Sequence, residues 1–311
     1  MTKLTEHLPT VSVVMPLYNQ EPYVEAAVRS LLAQTFSDFE LIIIDDGSTD
    51  ASLTIVRRLA SSDERIRVYN QKNFGRAITR NRGVKLARAE LMAMLDPDDI
   101  AMPERLALQV EYMQEHPECV ALGAQFESVC MKGIPLNVSS LPLDHASIEA
   151  RLLEDDGQAL TQGVSMMRRT VCLAAGSYNA QYAAGEDADL FLRMALKGQL
   201  ANLPQTLLQY RQHPKSTVNT AGRPEYDDYR QRIERAWQQR GRQLPANFQH
   251  WSQSTEEMTP NQLMLRWGWN AFKRNEFTAA KYYVRMLLRL NLLDMQAWRL
   301  FYCILRGRQG E

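Results

Sequence analysis

Short runs of β-branched and other apolar residues alternate with amphipathic segments in the first third of this 311-residue chain. The runs lie at residues 11–14, 41–44, 66–69 and 91–95. Between the first two, Val24, Val28 and Leu31 recur at helical spacing. Strands that alternate with helices predict an α/β fold with a mostly parallel sheet and helices on both faces. In such sheets ligands bind beyond the carboxyl ends of the strands, where polar loops follow here.

The alternation fades after residue 137, and the composition changes near residue 220, beyond which all five tryptophans lie. Before that point, strands are predicted at 163–167 and 203–210 and a helix at 187–197. A polar, glutamine-rich passage at 243–259 indicates a linker. The segments with helical spacing beyond it are 261–274, 278–290 and 294–306. We therefore predict an α/β domain over residues 1–220 and an α-helical C-terminal extension over residues 221–311.

Composition excludes several classes of protein. Thirty-six basic residues balance thirty-six acidic ones, whereas nucleic-acid binders usually carry a basic excess. The four cysteines show no CxxC spacing and the five histidines no HExxH, so neither a zinc site nor a disulfide framework is predicted. Free thiols suit a reducing compartment. Without an apolar signal core or a run long enough to span a membrane, the sequence predicts a cytoplasmic protein.

Acidic clusters follow two of the predicted strands. Asp96-Pro97-Asp98-Asp99 comes directly after the fourth. Its carboxylates suit Mg²⁺ or Mn²⁺, which proteins bind through one or two carboxylates together with substrate phosphates. The same residues could equally cap the helix that begins near Pro103. Asp45-Asp46-Gly47-Ser48 follows the second strand, either as a simple turn or with an aspartate placed to accept the imide N–H of a uracil ring.

Two later segments could also carry chemistry. Glu186-Asp187 begins a predicted helix, where acidic residues are favoured by the helix dipole. An aspartate at that position could instead act as a general base toward an alcohol. Arg211, His213 and Lys215 share one loop, which is either a solvated basic loop or a grip on a pyrophosphate. The chain contains no GxGxxG, GxxxxGK[ST] or GxSxG motif.

In their order along the chain, these segments resemble the family-2 glycosyltransferases. The segments that carry the resemblance are VSVVMPLYN (11–19), LLAQTF (31–36), FELIIIDDGSTD (39–50), NFG (73–75), TRNRG (79–83), LDPDD (95–99), GED (185–187) and YRQH (210–213). Together they cover roughly residues 10 to 218. The resemblance implies a nucleotide-sugar-binding domain of the GT-A type that inverts the anomeric centre.

Carried over position by position, the resemblance implies Asp187 as the general base and Asp98 as the ligand of Mn²⁺ or Mg²⁺. The residues implied in nucleotide-sugar binding are Pro16, Tyr18, Asp46, Arg80, Asp96, Arg211 and His213. The implied donor is a UDP-sugar and the acceptor a glycan or a lipid-linked hydroxyl. Ala188 stands where the family often has an aromatic residue.

The resemblance also implies which part of the UDP-sugar each of these residues contacts. Asp46 would contact N3 of uracil, and Pro16 and Tyr18 would line the base pocket. Asp96 would lie near the ribose or the metal ion. The residues implied to face the diphosphate are Arg80 and Arg211. Two other functions stay open: a sugar-phosphate nucleotidyltransferase and a non-catalytic nucleotide-sugar-binding protein.

The C-terminal segment is basic. From Asn261 onward it holds nine Lys or Arg residues against three Asp or Glu. Three interpretations stay open: an amphipathic helical lid packed on the first domain, a peripheral contact with an anionic membrane, and a tetratricopeptide-like unit that binds a partner.

Overall fold

The structure is a computed structural model that describes residues 7–154, 159–182, 184–214, 216, 226–245, 248 and 258–307. The strands are β1 (Val11–Leu17), β2 (Phe39–Asp45), β3 (Ile66–Asn70), β4 (Leu91–Met94), β5 (Ile100–Ala101), β6 (Cys119–Val129), β7 (Pro135–Val138), β8 (Met166–Arg168) and β9 (Gln199–Arg211). The helices are α1 (Val24–Leu32), α2 (Ser52–Ala60), α3 (Arg76–Leu86), α4 (Arg105–Glu115), α5 (His145–Leu153), α6 (Arg169–Ala174), α7 (Glu186–Ala195), α8 (Tyr226–Gln238), α9 (Pro260–Lys273), α10 (Phe277–Leu290) and α11 (Met295–Arg306).

Over the described residues the strands form one mixed sheet in the order β3-β2-β1-β4-β8-β6-β9-β5, with β7 paired to β6. The four strands β3, β2, β1 and β4 are parallel. Every residue of β2 is buried, as expected for a strand covered on both faces. The predicted α/β fold class is confirmed. Beyond these four strands the sheet includes antiparallel pairs: β8 joins β4 and β6 antiparallel, and β9 joins β5 antiparallel.

The prediction of a strand at 163–167 was wrong about where the strand begins. Gln162–Val164 forms one turn of 3₁₀ helix, and β8 begins at Met166. The amide and the hydroxyl of Ser165 both donate to the carbonyl of Gln162, which closes this turn. Hydrophobic periodicity does not report a turn that hydrogen bonds of this kind close.

The parallel strands bring their carboxyl ends to one edge of the sheet, and α3 packs across the faces of β1 and β2. Gly83 makes the close approach possible. A Cβ atom there would lie 2.3 Å from Cγ1 of Val14 and 3.3 Å from Cδ1 of Ile44. Any larger residue would push α3 away from the sheet, together with the side chains that its amino-terminal half carries.

The chain divides into two compact units. The first comprises residues 1–126, 140–209 and 223–248, and the second residues 127–139, 210–222 and 249–311. The predicted boundary near residue 220 and most of the predicted linker at 243–259 lie outside the described residues. Helix α8 belongs to the first unit, where Trp237 at its end donates through Nε1 to the carbonyl of Leu153 at 3.2 Å.

The second unit contains the three C-terminal helices that the sequence predicts. Their core includes Trp267 and Tyr283, whose ring centroids lie 5.8 Å apart. Gly268 allows α9 to approach α11, since a Cβ atom there would lie 2.7 Å from Cδ2 of Leu300. Within the described part of the chain, no helix is both long and apolar enough to cross a membrane.

A buried carboxylate joins three segments of the first unit. Glu40 in β2 accepts bonds from the hydroxyl of Ser12 at 2.7 Å, from Nη1 of Arg67 at 2.6 Å, and from both the amide and Nε of Arg88. Burial by itself raises the pKa of Glu40, but these donors together lower it below its ordinary value of 4.5. Ionised Glu40 therefore stabilises the folded state.

We expect Glu40→Gln to lower the free energy of unfolding by about 1.5–3 kcal/mol near neutral pH, the usual effect of hydrogen bonds to a charged group. Because the folded-state pKa is depressed, the stabilisation is present above pH 4.5 and is lost as the pH falls through the folded-state value. Urea denaturation of both proteins across this range measures the effect. A difference that stays constant as the pH is lowered would contradict it.

Candidate active site

The Asp96–Asp99 turn lies at the carboxyl edge of the sheet, directly after β4. The carboxylate of Asp96 accepts a bond from Nη2 of Arg80 at 3.2 Å. Burial raises the pKa of Asp96, Arg80 opposes the rise, and the charges of Asp98 and Asp187 add to it. Asp98 and Asp187, 89 positions apart in the sequence, therefore both lie near enough to Asp96 to act on its charge.

Arg80 connects this turn to a third segment of the chain. It projects from α3, is 6% exposed, and donates through Nη1 to Oε1 of Glu186 at 2.6 Å while Nη2 binds Asp96. Arg76, one turn earlier on α3, also reaches Oε1 of Glu186 at 2.7 Å. We call Arg80, Asp96, Asp98, Glu186 and Asp187 the acidic cluster. Its carboxylates come from two distant segments, and the buried guanidinium of Arg80 binds one carboxylate from each, Asp96 and Glu186.

The two acidic residues at the start of α7 have different surroundings. Glu186 is 2% exposed; burial raises its pKa, the two arginines of α3 oppose the rise, and Asp187 adds to it. Asp187 is only partly buried, and its Oδ1 accepts the amide of Ala188 at 2.9 Å. Glu186 is thus enclosed and paired with two arginines, whereas Asp187 remains partly exposed.

The backbone before α7 depends on a glycine and a buried arginine. Gly185 has φ +74°, in the left-handed region that other residues seldom adopt. Its carbonyl accepts Nη1 of Arg232 from α8 at 2.6 Å, and a Cβ atom at position 185 would lie 2.2 Å from that nitrogen. Arg232 is 5% exposed. The sequence analysis missed Arg232, because an arginine in a polar helix gives no sign of burial.

Asp46 is held at the amino-terminal end of α3. Its Oδ1 accepts the amide of Phe74 at 2.9 Å and Nε2 of Gln71 at 2.8 Å, and its Oδ2 accepts the amide of Gly75 at 2.9 Å. Gln71 also donates to the hydroxyl of Thr79, the neighbour of Arg80. The first turns of α3 therefore lie between Asp46 on one side and Glu186 and Asp96 of the acidic cluster on the other.

Pro16 and Tyr18 lie beside Asp46. Pro16 is aligned with Ile44 in the parallel pairing of β1 with β2, and the amide of Asp46 donates to the carbonyl of Leu17 at 2.8 Å. Tyr18 follows directly and is 46% exposed. An aromatic ring presented to solvent at a sheet edge can stack against a planar ligand.

Arg211 and His213 belong to the second unit. There, Nη1 of Arg211 donates to the carbonyl of Met131 at 3.0 Å, and the amide of Gln212 donates to the carbonyl of Val129 at 2.8 Å. His213 is 2% exposed. Their implied roles toward the diphosphate and the donor stay predictions.

Two further residues that the sequence analysis missed support the Asp96–Asp99 turn. Arg105 is fully buried and donates to the carbonyl of Met94 at 2.6 Å and to that of Gly163 at 3.0 Å. Burial lowers its pKa to about 9, although Asp99 and Asp96 oppose this. A Cβ atom at Gly163 would lie 3.3 Å from Oδ2 of Asp96, so only glycine leaves that carboxylate its present space.

The carboxylate oxygens around this turn are suitable ligands for a divalent cation. Among the described residues, no three His, Cys, Asp or Glu side chains are placed to hold a metal ion on their own. Asp96 and Asp98 offer hard oxygen ligands. Burial, with a smaller contribution from the charges of Asp98 and Asp187, raises the pKa of Asp96, so added positive charge beside these carboxylates is favourable. Mg²⁺ and Mn²⁺ bind in such sites when phosphate oxygens complete the coordination.

Comparison with known proteins identifies the family. The sequence model described as Glycosyl transferase family 2 matches residues 12–173, just over half of the chain. The chain belongs to glycosyl transferase family 2. The match includes the segments that supply Asp46, Arg80, Asp96 and Asp98, and the family assignment makes the protein a glycosyltransferase.

Relatives agree with this assignment, and a solved structure shares the fold. An uncharacterized glycosyltransferase of Haemophilus influenzae is 29% identical over 220 residues, which are 68% of each chain. The putative teichuronic acid biosynthesis glycosyltransferase TuaG of Bacillus subtilis is 36% identical over 135 residues, 43% of this chain and about half of that relative's length. The fold resembles S. aureus TarS 1–349 in complex with UDP-GlcNAc, with a TM-score of 0.63, 18% identity, and coverage of 96% of this chain and 88% of TarS 1–349.

Proposed function

We propose that this family-2 glycosyltransferase transfers a sugar from a UDP-sugar to a hydroxyl group of a glycan or lipid-linked acceptor, with inversion at the anomeric carbon. The observation that carries the proposal is the acidic cluster, in which a partly exposed Asp187 lies near Asp96 and Asp98. A base and a cation site close together are what displacement of a nucleoside diphosphate by an alcohol requires. The TarS complex with UDP-GlcNAc supports UDP as the nucleotide.

Asp187 is proposed to act as the general base. Its carboxylate takes the proton of the acceptor hydroxyl while the hydroxyl oxygen forms a bond to the anomeric carbon. The bond between that carbon and the β-phosphate oxygen breaks, and its electron pair leaves with UDP. Attack from the face opposite the leaving group inverts the configuration. One base is sufficient, whereas glycoside hydrolases use a pair of carboxyl groups.

Asp98, with Asp96 beside it, is proposed to hold Mn²⁺ or Mg²⁺. When bound, the ion would offset the negative charge that develops on the leaving diphosphate, an effect worth several kcal/mol. Arg80 keeps Asp96 in position and lowers the repulsion among the carboxylates before donor binding. Its implied contact with the diphosphate stays a prediction, because Nη1 and Nη2 bind carboxylates here.

Asp46 is proposed to recognise the uracil ring. The three bonds from Gln71, Phe74 and Gly75 fix the orientation of Asp46, which is 4% exposed. The imide N–H of uracil would donate to the second lone pair of Oδ2. Pro16 and the exposed ring of Tyr18 would then form the wall of the base pocket. A hydrogen bond to N3–H distinguishes uracil from cytosine, which has no proton on that nitrogen.

The acceptor is proposed to be a growing polysaccharide or its lipid-linked precursor. This rests on the name of TuaG, which assigns that relative to teichuronic acid biosynthesis. The cytoplasmic location expected from the sequence stays a prediction.

A panel of UDP-sugars with released UDP as the readout tests the proposed function. We expect one sugar to be turned over with Mn²⁺ or Mg²⁺, and chelation of the metal to lower the rate by at least about 100-fold, in line with several kcal/mol of metal stabilisation. GDP-sugars are the matched control. An undiminished rate after chelation would contradict the role of the metal, and turnover of GDP-sugars alone would contradict recognition of uracil by Asp46.

A further inference from the structure

An exposed apolar surface occupies the end of the second unit. It comprises the α10–α11 connection and one side of α11, and its members, with exposed fractions of 43% to 84%, are Leu290, Leu292, Leu293, Met295, Trp298, Tyr302 and Leu305. We call it the α11 surface. Residues 292 and 293, at the tip of the connection, are 71% and 84% exposed. Leucines that project this far from a turn are costly in water unless something covers them.

Helix α11 has two apolar sides. Ala297, Leu300 and Ile304 recur at helical spacing and are buried in the core of the second unit. Met295, Trp298, Tyr302 and Leu305 recur at the same spacing on a different side and are exposed. The buried side accounts for the packing of the helix, so packing within the second unit does not explain the exposed side.

Basic residues border the α11 surface. Arg289, Arg299 and Arg306 are exposed, and each is adjacent in sequence to an exposed apolar member of the surface. The guanidinium of Arg306 lies 4.5 Å from the ring centroid of Tyr302. Residues 277–307 include five Lys or Arg residues and one acidic residue, Asp294. The carboxylate of Asp294 accepts two backbone amides and so caps the start of α11. The surface is therefore apolar at its centre and positive at its margin.

We propose that the α11 surface binds an anionic lipid bilayer, with the connection at 291–294 inserted among the headgroups. Leucines and aromatic rings that lie at the boundary between headgroups and acyl chains gain from burial of apolar area, and flanking arginines gain from the negative surface. Pairing with a second copy through the same surface would oppose two sets of like charges, which is unfavourable. The proposal does not depend on the identity of the donor or of the base.

Sedimentation of the full chain with lipid vesicles tests this proposal. The vesicles are phosphatidylcholine alone or phosphatidylcholine mixed with phosphatidylglycerol. We expect the protein to sediment with the anionic vesicles and less so as salt is added. The double variant Leu292→Ser/Leu293→Ser should lower the partition coefficient at least about tenfold, from loss of apolar burial. Arg299→Gln/Arg306→Gln should lower it roughly 25-fold, because each arginine near an anionic surface contributes about fivefold.

The matched control is Leu173→Ser/Leu196→Ser, which removes two exposed leucines of the first unit that are 39% and 47% exposed. It should sediment like the unchanged protein. Circular dichroism melting confirms that each variant is folded. Three results would overturn the proposal: no binding to anionic vesicles, equal binding to neutral ones, or self-association that the Leu292/Leu293 variant abolishes while vesicles stay unbound.

Discussion

Replacement of Asp187 by Asn is expected to lower kcat by about 10²–10⁴-fold, the usual contribution of a general base. Asn keeps the shape of the side chain and can still accept the amide of Ala188 through its oxygen. The variant should therefore fold and bind UDP as the unchanged protein does. Released UDP under saturating donor and acceptor measures kcat, and calorimetry measures the affinity for UDP.

Asp189→Asn is the matched control for this variant. Asp189 lies on the same helix two residues further on, is buried, and pairs with Arg193 at 2.6 Å. The carboxylate of Asp189 pairs with Arg193 inside the fold, so Asp189→Asn should lower the melting temperature and leave kcat nearly unchanged. If Asp189→Asn reduced kcat as much as Asp187→Asn at equal folded fraction, the assignment of the base would be wrong.

Replacement of Arg80 by Met is expected to destabilise the protein by about 3–5 kcal/mol, the usual cost of removing one partner from a buried ion pair. Asp96 would lose its guanidinium, and Glu186 would keep only Arg76. Burial already raises the pKa of both carboxyl groups, and loss of Arg80 would raise it further. Because a raised carboxyl pKa favours the protonated folded state, the destabilisation should shrink as the pH falls.

Urea denaturation at several pH values measures this effect. Arg58→Met is the control, since Arg58 pairs with Glu25 on the surface and the two side chains are 56% and 38% exposed. We expect that variant to unfold at nearly the same urea concentration as the unchanged protein. An Arg80→Met protein as stable as Arg58→Met would show that the acidic cluster does not depend on its buried guanidinium.

The parallel half of the sheet could be predicted because the sequence signal is strong there. Strands such as β2 are buried on both faces, so their sequences are continuous apolar runs. Polar turns follow these runs and mark where the strands end. The long strand β6 was not predicted. It is buried along most of its length but contains Gly123, Gln125 and Glu127, which interrupt both the apolar run and the alternation that identify strands.

The acidic residues of the candidate site could be predicted from the sequence. Arg80 was implied by the family resemblance alone, as a contact to the diphosphate, and its ion pair with Glu186 was not predicted. Asp96 and Asp98 stand out because they follow a strand end. Arg80 and Glu186 are 106 positions apart, and no spacing in the sequence shows that they meet. Arg105 and Arg232 were missed for a related reason: arginine is mostly a surface residue, and only the carbonyl groups that these two bind in three dimensions explain their burial.

Calorimetric titration of UDP in the presence of Mn²⁺ is the most direct test of the central claim, that Asp98 holds the cation which binds the donor diphosphate beside Asp187. For Asp98→Asn we predict that Kd for UDP rises at least about tenfold, or about 1.4 kcal/mol, and no longer depends on Mn²⁺. Asp187→Asn should leave both quantities unchanged. An Asp98→Asn protein that binds UDP with the affinity and the Mn²⁺ dependence of the unchanged protein would contradict the account.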